Sequence, residues 1–390
     1  MFMCAALCYA QGEADSGSLR IVFAGDIMGH GPQINAARQA DGSYDYEPSF
    51  RFVQDYIQSA DLAIANLEVT LAGPPYTGYP QFSSPAALAE AASAAGFDIL
   101  TTANNHCMDR GSTGLRRTLD SLDALGIPHL GTYRDTASRR AEHPLMVDRC
   151  GIRLALLCYT YGTNGIEVHP PQVVNMIDTV QMLRDLQEAQ RRGADYVVTL
   201  IHWGVEYQTA ANAEQERTAR WLLAHGCDAV IGGHPHVVQN FTYDAVPGNG
   251  RFPELVVYSM GNYVSNQRDV NCDGGIMVEL ELEKRGGSIT AQRCQYMPYW
   301  VHRGVVDSVY QYYVVPSTDA VEHPDRYQIE PSLLPALRRF SDNTRARLAP
   351  EPLISERRFY RDGEPEELCP LACVIVGEEN VCKNIFQCRI

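Results

Sequence analysis

Lysine is almost absent from this chain of 390 residues; Lys284 and Lys383 are its only examples, and arginine carries nearly all the positive charge. Positive charge is scarce as a whole. The 32 Lys+Arg residues stand against 47 Asp+Glu, giving a formal net charge of −15. So acidic a chain repels polyanions, and nucleic acid is not an expected partner. Long apolar runs are also missing, and no stretch reaches the ~18 residues that a membrane-spanning helix requires. Internal repeats and low-complexity blocks are absent too. With 45% hydrophobic and 20% charged residues the composition is globular, which sets aside disorder, collagen-like repeats and coiled coil. The length suits one large domain with an appendage, or two domains.

The first ten residues, Met1 to Ala10, are apolar and end in a small residue, and a polar stretch follows from Gln11 to Ser18. This pattern resembles the tail of a secretory signal peptide with Cys8 and Ala10 at the −3 and −1 positions, although it has no basic n-region. Export to the periplasm or cell envelope is the expectation. Cysteine usage agrees. Cys369, Cys373, Cys382 and Cys388 crowd the C-terminus, and in an oxidising compartment they read as two disulfides with three possible connectivities. A structural zinc site competes, but the spacing fits no common ribbon or knuckle. Cys158 and Cys227 lie in apolar stretches and read as small buried hydrophobes.

One unit recurs along the chain: a short Val/Ile/Leu-rich run, polar residues at its end, then a helical stretch. The runs span 19–25, 61–65, 97–103, 196–201, 228–233 and 255–258. Continuous apolar runs this short suit strands buried on both faces. Helices are expected over 84–95, 112–125, 175–192 and 212–225, the last N-capped by Asn212. Met176, Val180 and Leu183 would form the core stripe of the third helix, and Leu115, Leu119, Leu122 and Leu125 that of the second. After Gly274 alternation over 276–283 and 288–296 predicts an antiparallel flank. Strands alternating with helices give an α/β fold. Three segments are expected: a leader and linker over 1–18, the main domain over 19–300, and an extension with the cysteine-rich tail over 301–390.

In open α/β sheets the ligand site lies beyond the carboxyl ends of the strands. The residues gathered there are Asp26, Glu68, Asn105, His106, His202, His234 and His236. Neutral imidazoles and ionised carboxylates are the ligands that borderline divalent metals prefer. Seven candidates exceed the needs of one tetrahedral ion. They suit two ions about 3.5–4 Å apart that share a carboxylate, an arrangement that hydrolyses phosphoesters. His234-Pro235-His236 can aim two rings at neighbouring ions, and Gly232-Gly233 keeps the approach open.

Six motifs occur in order: Gly25-Asp26-Ile27-Met28, Asn66-Leu67-Glu68, Ala103-Asn104-Asn105-His106 with Asp109, His202-Trp203-Gly204 with Glu206-Tyr207, Gly233-His234-Pro235-His236, and Ser259-Met260-Gly261-Asn262-Tyr263. Over roughly 19–300 they resemble the CapA family of capsule-synthesis proteins associated with poly-γ-glutamate. That family is similar to the calcineurin-like metallophosphoesterases, so the resemblance implies a four-layer α/β/β/α sandwich. It also implies that Asp26 and His236 hold the first metal, that Glu68 bridges, and that Asn105, His202 and His234 hold the second. The metals would be Mn, Fe or Zn. His106 would give a proton to the leaving group, with Asp109 orienting it; a structural salt bridge from Asp109 to Arg110 or Arg116 is the competing reading.

The phosphoesterase pattern Asp-x-His has Met28 in its third place here, and a thioether is a poor ligand for these ions in an oxygen-rich site. His30 could substitute from two residues on, although a Gly-flanked histidine reads as solvent-facing. Among the arginines, Arg110 is the candidate for binding an anionic substrate, while Arg116, Arg117, Arg134 and Arg268 read as solvated or structural. The expected function is metal-dependent hydrolysis of a phosphoester or of an anionic polymer. The alternative is a non-hydrolytic metal-containing subunit that assembles with membrane-bound capsule-synthesis proteins.

Overall fold

The computed structural model describes residues 16–244, 254–359 and the backbone of the two-residue strand Val374–Ile375. The leader and the four tail cysteines lie outside the described residues.

Strands of alternating pattern send successive side chains to opposite faces. In Gly17–Ile27, Leu19, Ile21 and Phe23 join one buried cluster while Val22 and Ala24 join another. Ile152–Thr160 behaves in the same way: Leu154 and Leu156 face the first cluster, Ala155 and Leu157 a third. The shared cluster is the seam between two stacked sheets. Outside it, Tyr56, Ile57 and Leu88 of short helices cover one sheet, and Met182, Leu186 and Leu222 of Thr179–Arg191 and Ala213–Ala224 cover the other. The layers run α/β/β/α, as the motifs implied.

In the first sheet Gly17–Ile27, Leu62–Leu67, Ile99–Thr101 and His129–Leu130 are parallel neighbours. Gly274–Arg285, Ser288–Val306 and Val309–Pro316 extend that sheet antiparallel on its other side. The second sheet places Glu254–Val257, Ala229–Gly233, Tyr196–His202 and Ile152–Thr160 in parallel order, flanked by antiparallel strands. Residue 300 falls inside Ser288–Val306, and Trp300 packs with Tyr313, Leu337 and Phe340. Residues 301–359 therefore continue the sheet and its covering.

Three expectations differ from the structure. The strand Ile152–Thr160 is not among the runs expected from the sequence, yet it pairs parallel with Tyr196–His202 in the second sheet. The helix expected over 175–192 begins at Thr179, because Asn175 donates its amide to Gly131 and Asp178 caps the helix by accepting from the Val180 amide at 2.8 Å. Its core stripe is consequently Met182, Leu186 and Ala189, while Met176 and Val180 are 38% and 60% exposed. In the helix Gly111–Ala124, Leu115, Leu119 and Leu122 are buried, as expected, whereas Leu125 lies just past its end and is exposed. Cys158 and Cys227 are buried, as small apolar residues would be.

His302 provides a test of the sheet extension. It is 1% exposed, is stacked between Trp300 and Tyr313, and has no hydrogen-bond partner at either ring nitrogen. Burial, with the Arg268 charge second, pushes it down to about 4. The unfolded chain binds a proton near pH ~6.5, so between the two values the unfolded state holds more protons than the native one. Stability should therefore be complete above that window and fall with pH through it. Thermal unfolding at pH 7.5 and 5.0 should show a smaller acid loss for His302→Phe than for wild type. Identical losses would remove His302 as the source.

Candidate metal centre

The functional side chains come from strand ends. Asp26 is the penultimate residue of Gly17–Ile27, Glu68 follows Leu62–Leu67, and Asn105 and His106 lie just beyond Ile99–Thr101. From the second sheet, His202 ends Tyr196–His202, while His234 and His236 follow Ala229–Gly233. All lie at the carboxyl ends of parallel strands, where this architecture leaves a crevice. Backbone approach there is close: a Cβ on Gly25 would stand 1.9 Å from the Gly261 carbonyl oxygen. His234 and His236 adopt φ of 97° and 58°. That region is costly for non-glycine residues and is typically retained where function over-determines the backbone.

Two groups of metal-ligating atoms result, each with its atoms within 4.8 Å of one another. One is Asp26, Glu68 and His236; the other is Glu68, His202 and His234. Glu68 belongs to both. It is fully buried, and neither of its carboxylate oxygens has a hydrogen-bond partner; the His234 Nδ1 is likewise unpartnered. A buried carboxylate without donors costs several kcal/mol unless a cation compensates it. The nearest protein donors to Glu68 Oε1 are His202 Nε2 at 3.4 Å and His236 Nε2 at 3.9 Å, both too long for hydrogen bonds. This donor set of imidazole and carboxylate, open at the bridging oxygens, fits divalent ions. Asn105 joins the second group through its Oδ1, 2.9 Å from His202 Nε2.

Without a metal, the buried carboxylates and imidazoles of the site act on one another. Burial, then the Asp26 charge, raises Glu68 above the usual carboxylate range. Burial opposes ionisation of Asp26 too, but the neighbouring His236 and His202 imidazoles outweigh it and hold Asp26 low. His236 is pushed up to about 9, because Glu68 and Asp26 overcome the burial that would lower it. His234, buried and facing His202 and His236, falls to about 2. A neutral imidazole is the ligating form.

His106 stands at the edge of these groups. Its Nδ1 is 2.7 Å from Asp109 Oδ2, and the same oxygen accepts the Phe82 amide at 2.7 Å. Asp109 thus pairs with His106; the salt bridge to Arg110 or Arg116 is not formed. With Nδ1–H donated to the carboxylate, Nε2 is the free nitrogen. Burial would lower His106, but the Asp109 hydrogen bond and the Glu68 charge raise it on balance.

The remaining expectations resolve as follows. Met28 is 1% exposed and packs in the core cluster under the first helical layer, so its thioether is not presented to the site. His30 is not solvent-facing: it lies edge-on against Phe82 at 5.2 Å and accepts the Asn266 amide at Nδ1. Arg110 donates to the Pro75 carbonyl and belongs to neither metal-ligating group. Arg268 is buried, donating to the Val301 and Ser265 carbonyls.

The sequence reading missed the residues that aim the ligands. Asn66 donates to Asp26 Oδ1 at 2.8 Å, and Asn262 Oδ1 lies 3.0 Å from His236 Nδ1, which turns Nε2 of that ring toward Glu68. Such outer partners fix the ring orientation of a metal-binding histidine. Both asparagines stand inside quoted motifs; what they lack is a signal separating an orienting amide from a ligating one. Tyr161 and Asn164 follow the overlooked strand Ile152–Thr160. The Tyr161 ring lies 4.5 Å from that of His234, and Asn164 Oδ1 accepts from Asn105 at 3.2 Å.

Comparison with known proteins adds the following. Residues 20–267 match the family model described as bacterial capsule synthesis protein PGA_cap. The chain is 25% identical over 282 residues to capsule biosynthesis protein CapA of Bacillus anthracis, covering 70% of this chain and 66% of that one. It is 28% identical over 205 residues to the PGA biosynthesis protein CapA of Bacillus subtilis (strain 168), covering 49% and 48%. The matched part thus spans under two-thirds of the first relative and about half of the second. Among solved structures it is similar to NAD nucleotidase of Haemophilus influenzae, with TM-score 0.46 and 12% identity over 88% of this chain and 57% of that one. A 5′-nucleotidase from Candida albicans SC5314 gives 0.40 and 13% over 66% and 46%. Because the family match covers more than half of this chain, the chain belongs to the PGA_cap family of bacterial capsule synthesis proteins.

Proposed function

We propose that the protein is an exported, metal-dependent hydrolase of the phosphoesterase type that acts in capsule-polymer biosynthesis, with poly-γ-glutamate as the polymer. The observation that carries the hydrolase reading is Glu68, buried without hydrogen-bond partners and common to both groups of metal-ligating atoms. Two divalent ions of Mn, Fe or Zn in such a site would supply Lewis acidity and lower the pKa of water. Asp26 and His236 would hold one ion, Asn105, His202 and His234 the other. His106 Nε2 gives a proton to the departing group, and Asp109 keeps that nitrogen aimed. The substrate class is a phosphoester, with a γ-glutamyl amide as the second choice. Similarity to the two CapA proteins supports the capsule role, and the signal-peptide-like leader supports export.

A second reading is a non-hydrolytic metal-containing subunit of a capsule synthesis or export complex that includes membrane-bound proteins. Met28 favours it, because the first group has only three ligating residues with that side chain turned into the core. The separating experiment assays Mn-, Fe- and Zn-loaded protein against a phosphodiester, a phosphomonoester and γ-glutamyl peptides, each with and without chelator. Turnover that a chelator abolishes and metal restores supports the hydrolase. No turnover with any loading rejects it and leaves the subunit.

A further inference from the structure

The loop that follows Ile152–Thr160 supplies no ligand, yet it touches every ligand of the second ion except the bridging carboxylate. At its start the Tyr161 amide donates to the His202 carbonyl at 2.9 Å. At its far end Ile166 packs against the buried cluster of Cys107, Met108, Leu115 and Val174, the first two of which follow Asn105 and His106 in the chain. Between these anchors the chain reverses in one tight turn. The Ile166 amide donates to the Thr163 carbonyl at 2.9 Å, and the Thr163 hydroxyl to the Ile166 carbonyl at 2.6 Å. The two central residues, Asn164 and Gly165, adopt φ of 51° and 75°, the left-handed region that asparagine and glycine tolerate best.

Two side chains of this loop reach the site. The Tyr161 ring is stacked 6.4 Å from that of His202, with 12° between their planes, and lies 4.5 Å from that of His234. Asn164, at the tip of the turn, meets the third ligand. Its Oδ1 accepts the Asn105 side-chain amide at 3.2 Å, and its own nitrogen stands 3.4 Å from His106 Nδ1. The Nδ1 hydrogen of His106 goes to Asp109, so that second approach is a packing contact bordering the ring. The bond to Asn105 does more. An asparagine amide has a donor end and an acceptor end of nearly equal size, and its partners decide which end faces an ion. With its nitrogen donated to Asn164, Asn105 turns Oδ1 the other way, 2.9 Å from His202 Nε2 in the second group.

We propose that Asn164 is a positioning residue for the second ion, fixing the amide of Asn105 so that its oxygen, the ligating end, faces the ion. This rests on the two-ion reading of the site and goes beyond it, because Asn164 acts only through Asn105. Asparagine before glycine is also ordinary turn chemistry. The two roles separate experimentally, since a turn needs only the backbone of residue 164 and the positioning role needs its side-chain oxygen.

The test is a titration of the full chain with Zn or Mn alone, in competition with a chromophoric chelator, on wild type, Asn164→Gly and Asn164→Asp. Residue 164 is exposed and its left-handed φ suits glycine, so Asn164→Gly keeps the turn and deletes the acceptor. That variant should bind the second ion about 10- to 100-fold more weakly, the usual cost of losing an outer partner of a ligand. The weakened step should be the one that His202→Ala also weakens, while the step that His236→Ala removes stays as in wild type. Asn164→Asp keeps an acceptor in the same place and should return the affinity to the wild-type level. Unchanged affinity in Asn164→Gly makes Asn164 a turn residue and overturns the role. Equal weakening of both ions, or a loss that Asn164→Asp does not recover, overturns it as well. Those outcomes leave the two-ion site standing, whereas a wild type that binds no ion removes the site and this role together.

Discussion

Exchange of His106 for Asn should lower turnover by roughly 10²- to 10⁴-fold, the usual worth of a positioned general acid, while leaving the metal content as in wild type. The argument is geometric. His106 belongs to neither group of metal-ligating atoms, and its Nδ1 is committed to Asp109 at 2.7 Å. What remains is a raised imidazole with one free nitrogen at the edge of the site. The loss should depend on the leaving group: near the upper figure for an alkoxide, which must be protonated as it departs, and much smaller for p-nitrophenolate. Asp109→Asn should show the same dependence more weakly, because the ring stays while its orientation loosens. Losses of equal size for both leaving groups would make His106 a structural residue instead.

Glu68→Gln has the opposite signature, since it acts on the metals. The carboxylate is common to both groups, so its neutral isostere should weaken both ions together by about two orders of magnitude or more, beyond the roughly 10- to 100-fold cost of losing an outer partner of a ligand. His202→Ala should weaken only the second. Stability then changes in two directions. In chelator-treated protein, Glu68→Gln should be the more stable by about 1–3 kcal/mol, because a buried carboxylate with no donor has become a neutral amide. With saturating metal, wild type should be the more stable, because ions bound to the native state add to its stability by mass action. Thermal unfolding of both proteins, with and without metal, checks this crossing. A variant less stable than wild type in chelator would mean that Glu68 has partners other than a metal.

Much of this was legible in the sequence because ligands at strand ends leave a double signature, an apolar run followed by a polar cluster. Asp26, Glu68, Asn105, His202, His234 and His236 all carry it, and the structure brings them together. The strand Ile152–Thr160 did not stand out because its run ends in Thr160-Tyr161, with no imidazole or carboxylate to mark it. Tyr161 and Asn164 were lost with it. Asn66 and Asn262 show a different limit: which ligand each one aims, Asp26 on the neighbouring strand or the His236 ring from the other sheet, is set by the packed fold. The helix at Thr179 shows a third. Met176, Val180 and Leu183 fit a helical period, but Asn175 is held by the Gly131 carbonyl across the fold and the register moves. The arginines were harder still, since a chain with two lysines uses arginine everywhere, and only the packed fold shows Arg110 and Arg268 donating to carbonyl groups.

The central claim is a site for two divalent ions bridged by Glu68. It is tested most directly by counting metal per chain, by elemental analysis of protein equilibrated with Mn, Fe or Zn and freed of excess, for wild type and His236→Ala side by side. The account expects about two ions per chain in wild type and about one in the variant, because His236 serves the first group alone. One ion in both proteins, or none after any loading, would contradict it.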